Sequence, residues 1–310
     1  MNQHTDLNNL ITDKPAQNSA TNTSQNSSAG TSGQYVNTAQ NENVYTEEEI
    51  RDVNKITVTI PDNSTPIVIL FGSASSGKTL ALLRMIRFLE KNGYTVVPEE
   101  VFRPASDTHH ARMCKGLKDL VYSEYTPGGN DEISFMLVKV LDRAGNPVCQ
   151  ILEAPGEHYF NGSASLSFPA YINRIRVSTN RKKWVFLVET DWGENQTERD
   201  LYAQKITQMQ GLISPADEVV FLCNKVDLKR HMFLPNNKPN TKAFFNTIRT
   251  QYPGIFERYR RSGLARFMFG EYTFKFVCFT SGVFNFTSDG LEVWNMENDS
   301  YCVNLWNAIR

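Results

Sequence analysis

From residue 46 onward the chain alternates short apolar runs with longer stretches of helical periodicity. Residues 66–71 (PIVILF) form a compact β-branched run followed by glycine, as expected of a strand buried on both faces. Residues 79–91 (TLALLRMIRFLEK) place Leu80, Leu83, Ile86 and then Phe88 or Leu89 at helical spacing, with Gly93 as the stop. The strand-like runs 133–141 and 148–152 flank the turn sequence DRAGNP and predict a hairpin. The runs 184–188 and 218–222 are two more strands, around a helix over 197–210. A helix over 241–252, a strand over 274–279 and a closing helix over 301–309 complete the series. There is no internal repeat. Strands alternating with helices predict an α/β fold of three layers. A mostly parallel sheet would carry helices on both faces, with the hairpin adding one antiparallel edge strand.

Composition divides the chain. Residues 1–45 are dominated by Asn, Gln, Ser and Thr, too poor in large apolar side chains to offset ordering entropy. They are expected to form a disordered tail ahead of a single domain over 46–310. Basic and acidic residues balance, 32 against 33, so the chain as a whole has no pull toward nucleic acid or anionic lipid. No apolar run approaches the roughly 20 residues that span a bilayer, and the start MNQHTDLNNL has no secretory pattern. The five cysteines follow neither disulfide nor zinc spacing. A soluble, cytoplasmic protein is the expectation.

Candidate chemistry begins at residues 72–79, GSASSGKT, which fit G-x-x-x-x-G-K-[ST] at every fixed position. Gly72 and Gly77 let the backbone turn tightly and approach an anion. The amides of the loop, those of Ser75, Ser76 and Gly77 among them, then form an anion-binding nest at a helix N-terminus. Lys78 would place its charge on β and γ phosphates, and Thr79 would offer its hydroxyl to magnesium. The loop follows a buried-strand run and opens an amphipathic helix, which is the context this chemistry needs.

Asn224-Lys225-Val226-Asp227 ends the strand EVVFLC and matches N-K-x-D. A carboxylate at Asp227 can accept two hydrogen bonds from the N1–H and exocyclic amine of guanine, a donor pair that adenine lacks. Asn224 can bond the purine and its neighbouring loop, and the Lys225 stem can lie along the base. Thr280-Ser281-Gly282 follows the strand FKFVCF, where a small-residue loop at Ser281 would meet the guanine oxygen. With these motifs the chain resembles the translation-factor and Ras-like (TRAFAC) class of P-loop GTPases over about residues 64–310. Within it, the chain is similar to the bacterial double-GTPase family. The resemblance implies GTP/GDP and Mg2+ as ligands, with a protein effector or a partner GTPase. No clear nucleic-acid signal accompanies it.

The chain departs from that pattern in several places. The D-x-x-G motif of the class has its counterpart in Glu153-Ala154-Pro155-Gly156, after VCQIL. The rival Asp191-Trp192-Gly193 fails on strand order. Glu153 keeps a carboxylate for a magnesium-bound water but moves it outward by a methylene, and magnesium demands near-octahedral geometry. The Gly156 amide would meet the γ-phosphate. Glu157 stands where many such enzymes have a water-orienting Gln, and His158 is the alternative for that role. Gly282 and Val283 replace the usual Ala and Lys. For the first-switch Thr, Thr126 in the long connection over 93–133 is preferred to Thr108. Arg103 and Arg112 in the same connection read as solvated, with an internal arginine finger as the alternative. Arg258, Arg260 and Arg261 read as a solvated helix end, with a partner surface as the alternative. These features together predict a slow regulatory GTPase. Its rivals are a nucleotide-binding interaction module with little or no hydrolysis and a P-loop ATPase.

Overall fold

The structure is a computed structural model. It describes residues 48–49, 52–125, 135–160, 168–190, 196–286, 288, 292–296 and 298–310. All of these lie in one compact unit, Glu42–Arg310. The tail expected over 1–45 lies outside the described residues.

Seven of the described strands make one sheet. They are β1 (Ile67–Phe71), β2 (Thr95–Pro98), β3 (Met136–Leu141), β4 (Pro147–Glu153), β5 (Lys182–Glu189), β6 (Glu218–Asn224) and β7 (Lys275–Cys278), in the order β2-β3-β4-β1-β5-β6-β7. β4, β1, β5, β6 and β7 run parallel. The apolar run at β1 is buried along its whole length, as a central parallel strand must be. The hairpin is present as β3–β4, but β3 is not the edge. β2 pairs antiparallel to it and takes that place. β2 is four residues long and ends in Pro98, which lacks an amide hydrogen and suits an edge. A separate antiparallel ribbon joins β8 (Val283–Phe286) to β9 (Glu292–Asn295).

The helices are α1 (Lys78–Lys91), α2 (Thr108–Tyr122), α3 (Glu157–Phe160), α4 (Ala170–Val177), α5 (Gln196–Leu212), α6 (Thr241–Gln251), α7 (Gly263–Phe269) and α8 (Ser300–Ile309). The fold is therefore α/β, a mostly parallel sheet covered by helices. α1 is buried nearly all round because α2 and α8 both pack on it while it lies on the sheet. Even Arg84 is buried there. All five cysteines are buried and unpaired. Among the described residues no helix is long and apolar enough to cross a membrane.

One expectation needs correction. The connection over 93–133 is not one long loop. It holds β2, a 3-10 turn at Glu100–Phe102 and the whole of α2. α2 buries His110, Met113, Cys114, Leu117 and Val121, a helical stripe already present in the sequence. The Asp107 carboxylate caps it, accepting from His110 N at 2.8 Å.

Candidate functional site

The motifs gather at the C-terminal ends of the parallel strands, where open α/β sheets bind ligands. β1 ends at Phe71 and the chain turns through residues 72–77 into α1. Ser75 (φ 58°) and Gly77 (φ 84°) both adopt the left-handed conformation. Gly77 is required twice, because a Cβ there would also lie 2.5 Å from Asn224 Nδ2. These turns put successive amides at the N-terminus of a 14-residue helix, an anion nest reinforced by the helix dipole. Lys78 is buried, and its Nζ donates to the carbonyls of Gly72 (3.1 Å) and Ser73 (2.8 Å). Among the described residues, the buried hydroxyls of Ser73 and Ser76 have no hydrogen-bond partner. Such orphaned groups are uncommon and suit a loop shaped for a polar ligand.

The second element comes from β4, which pairs with β1 so that Glu153 stands beside Leu70. Thr79 Oγ1 donates to Glu153 Oε1 at 3.1 Å, and Phe135 N donates to Glu153 Oε2 at 3.4 Å. Gly156 then lies directly on the loop over 72–77. A Cβ on Gly156 would fall 2.1 Å from Ala74 N and 2.4 Å from Ser73 C. A hydroxyl and a carboxylate beside an anion nest fit a magnesium ion that takes its remaining oxygens from phosphate and water. Among the described residues no cluster of three His, Cys, Asp or Glu could hold a metal alone.

The third element comes from the ends of β6 and β7. Asn224, at the end of β6, donates from Nδ2 to Ser76 O (2.8 Å) and approaches Ser281 Oγ (3.5 Å). Its Oδ1 is buried without a partner among the described residues. Lys225 takes a left-handed turn (φ 56°), and its Nζ lies 2.6 Å from Glu189 Oε2. Asp227 lies in the first turn of a 3-10 segment, Val226–Met232, and is half-buried. Among the described residues its carboxylate has no hydrogen bond or ion pair. Val226 N donates to Phe279 O at 3.2 Å, which brings this loop against Thr280 and Ser281. Trp294 Nε1, from β9, donates to Ser281 O at 2.8 Å. Gly282 has φ 136°, and a Cβ there would lie 2.4 Å from that indole nitrogen. The glycine where related patterns carry a side chain thus has a steric cause.

The proposed hydrolytic residues are placed less uniformly. His158 lies in α3 with its ring buried edge-on against Phe135 and Tyr171. Its Nδ1 is 2.9 Å from Tyr171 Oη. Burial, followed by the charges of Arg103 and Lys78, pushes the imidazole down to about 4, so it is neutral at pH 7. Glu157 opens the same short helix, with its side chain outside the described residues. Thr126 also falls outside them. Thr108 is exposed in the first turn of α2, and Arg112 is exposed on that helix. Arg103 is not a solvated loop arginine. It is buried, with both Glu49 oxygens at 2.9 Å, Asp107 Oδ2 at 2.7 Å and Thr57 O at 2.7 Å. A guanidinium held by two carboxylates is a structural clamp.

Three site residues escaped the sequence reading. Glu189 was visible as a carboxylate at the end of a strand, the usual place for function in this architecture. Arg84 looked like a polar interruption of an apolar helix. It donates to the carbonyls of Thr280 and Asn298 (3.0 Å for the latter), joining the phosphate-loop helix to the base loop. Trp294 gave no signal, because only the fold brings β9 against Ser281.

No family model matches this chain, and no curated protein matches it. Among solved structures, it is similar to nucleolar GTP-binding protein 1 of Plasmodium falciparum. The identity is 13%, with 73% of this chain and 81% of that chain covered and a TM-score of 0.35. It is also similar to the signal recognition particle receptor SRb-GTP/SRX complex of Chaetomium thermophilum, at 10% identity, covering 70% and 91%, with a TM-score of 0.37.

Proposed function

We propose that the chain is a guanine-nucleotide-binding protein, acting as a slow, magnesium-dependent regulatory GTPase. The observation that carries this is the bond from Asn224 Nδ2 to Ser76 O, which fastens the base-reading loop to the phosphate loop. In this reading the loop amides and Lys78 hold the phosphates, and Thr79 and Glu153 face the metal. Magnesium would neutralise charge on the β and γ phosphates when bound. Asp227 reads the guanine edge with a carboxylate that has no competing partner among the described residues. Gly156 rests on the phosphate loop, so its segment feels the presence of a γ-phosphate and passes that state to a protein effector or partner GTPase.

Titration of the purified chain with fluorescent GTP and ATP analogues tests the reading, together with phosphate release. Lys78→Ala is expected to weaken GTP binding by about 10- to 100-fold, the loss of a charge-assisted contact. Asp227→Asn is expected to move preference from guanosine to xanthosine nucleotides. Equal affinity for GTP and ATP, or indifference to Asp227→Asn, would overturn it. The burial of His158 against Tyr171 favours a second reading, tight GTP binding with no turnover. Steady phosphate release that is lost in Lys78→Ala decides for hydrolysis.

A further inference from the structure

Arg260 and Tyr272 form an antiparallel bridge, and Arg261 N donates to Glu271 O at 2.8 Å. These pairings close an excursion whose tip is α7. No residue of α7 is buried. Leu264 is 73% exposed, Phe267 88%, Met268 62% and Phe269 66%. At 3.6 residues per turn these four side chains share an arc of about 200°, and Arg266 stands on the opposite side. A helix this apolar, with no packing partner among the described residues, is an unusual surface for a chain of balanced charge.

Its surroundings specify the occupant. Residues 257–272 contain Arg258, Arg260, Arg261 and Arg266 but only two acids, Glu257 and Glu271. Both acids are paired, Glu257 with Arg260 (3.5 Å) and Glu271 with Arg260 (3.1 Å) and Arg266 (3.3 Å). The Arg261 guanidinium donates to the carbonyls of Phe269, Gly270 and Tyr272. The carbonyls at the helix end therefore have protein donors, as an apolar medium would require. A second copy of the chain suits this tip less well. A standard interface takes about 20–30 residues a side, and α7 offers seven.

We propose that α7 is a membrane-docking tip for an anionic lipid surface. Phe267, Met268, Phe269 and Leu264 enter below the headgroups, and Arg258, backed by the tip's excess of positive charge, meets lipid phosphates. The tip precedes the start of β7, whereas Thr280 and Ser281 follow its end, so docking leaves the nucleotide residues open. The proposal does not rest on nucleotide binding.

Flotation of the full chain with phosphatidylcholine vesicles, with and without phosphatidylserine, tests it. Binding to the phosphatidylserine vesicles is expected, lost at high salt and about fivefold weaker in Arg258→Gln. Phe267→Ser combined with Phe269→Ser is expected to weaken it at least about tenfold. The thermal midpoint should not change, because neither ring packs in the core. A Phe267→Trp variant should be quenched by brominated lipid. Absence of flotation, or flotation unaffected by the double serine variant, would overturn the proposal. So would self-association that the double variant abolishes in a chain that does not float, since the face would then belong to a second copy.

Discussion

Gly156→Ala isolates the contact between the two phosphate-facing loops. The new Cβ would lie 2.1 Å from Ala74 N, 2.4 Å from Ser73 C and 2.8 Å from Ala74 Cα. All three atoms are backbone, so no flexible side chain can swing away. Ordinary contact begins near 3.4 Å, and the loops must part by about 1 Å. Overpacking of this kind costs about 1–3 kcal/mol. Rigid main chain on both sides puts the effect at the upper end, about 3 kcal/mol. For a domain of this size each kcal/mol moves the melting midpoint by about 2–4 °C, so a drop of about 6–12 °C is expected in calorimetry. Gly211→Ala is the control. A Cβ there meets nothing within 4 Å, and alanine near a helix end should leave stability unchanged or raise it by up to about 1 kcal/mol. Under the proposed function, displacing the loop over 72–77 by about 1 Å would also stretch an amide–phosphate bond beyond its working range. Losing one such bond corresponds to about 10- to 100-fold in Kd, measurable with a fluorescent GTP analogue. A Gly156→Ala protein that melts within about 2 °C of the parent and binds GTP equally would show that the loops do not touch.

Other substitutions probe the remaining supports. Asn224→Ala removes the bond to Ser76 O and should cost about 1–2 kcal/mol in urea unfolding while also weakening nucleotide binding. Arg103→Leu strands the buried carboxylates of Glu49 and Asp107 and should cost about 3–5 kcal/mol, read from the same unfolding curves. His158 sets a pH dependence. The folded protein holds its imidazole near 4, whereas the unfolded chain protonates near 6.5. The unfolded state therefore binds more protons between these values. The contribution is complete above pH 6.5 and is lost as pH falls toward 4, at most about 3 kcal/mol. Unfolding free energies measured above pH 7 and near pH 4 should show this slope, and His158→Phe should flatten it.

The sequence by itself determined the parallel sheet and the tight loop over 72–77 ahead of α1. Runs such as PIVILF have no polar face to present to water, so they must lie at the centre of a covered sheet. GSASSGKT between such a run and an amphipathic helix leaves the backbone one economical path. The hairpin was legible for a similar reason, since DRAGNP turns between two β-rich runs. The α2 stripe is equally present in the sequence, inside a connection whose length alone reads as a loop. Tertiary structure decided the rest. β2 is too short and too weakly patterned to declare itself, and only β3 makes it a strand. Arg103 is polar in the sequence and buried in the fold, because Glu49 and Asp107 converge on it from 54 and 4 residues away. Trp294 meets Ser281, and Glu189 meets Lys225, across distances that periodicity does not encode. Local pattern fixes what a segment must hide from water, whereas the pairing of polar groups depends on which segments become neighbours.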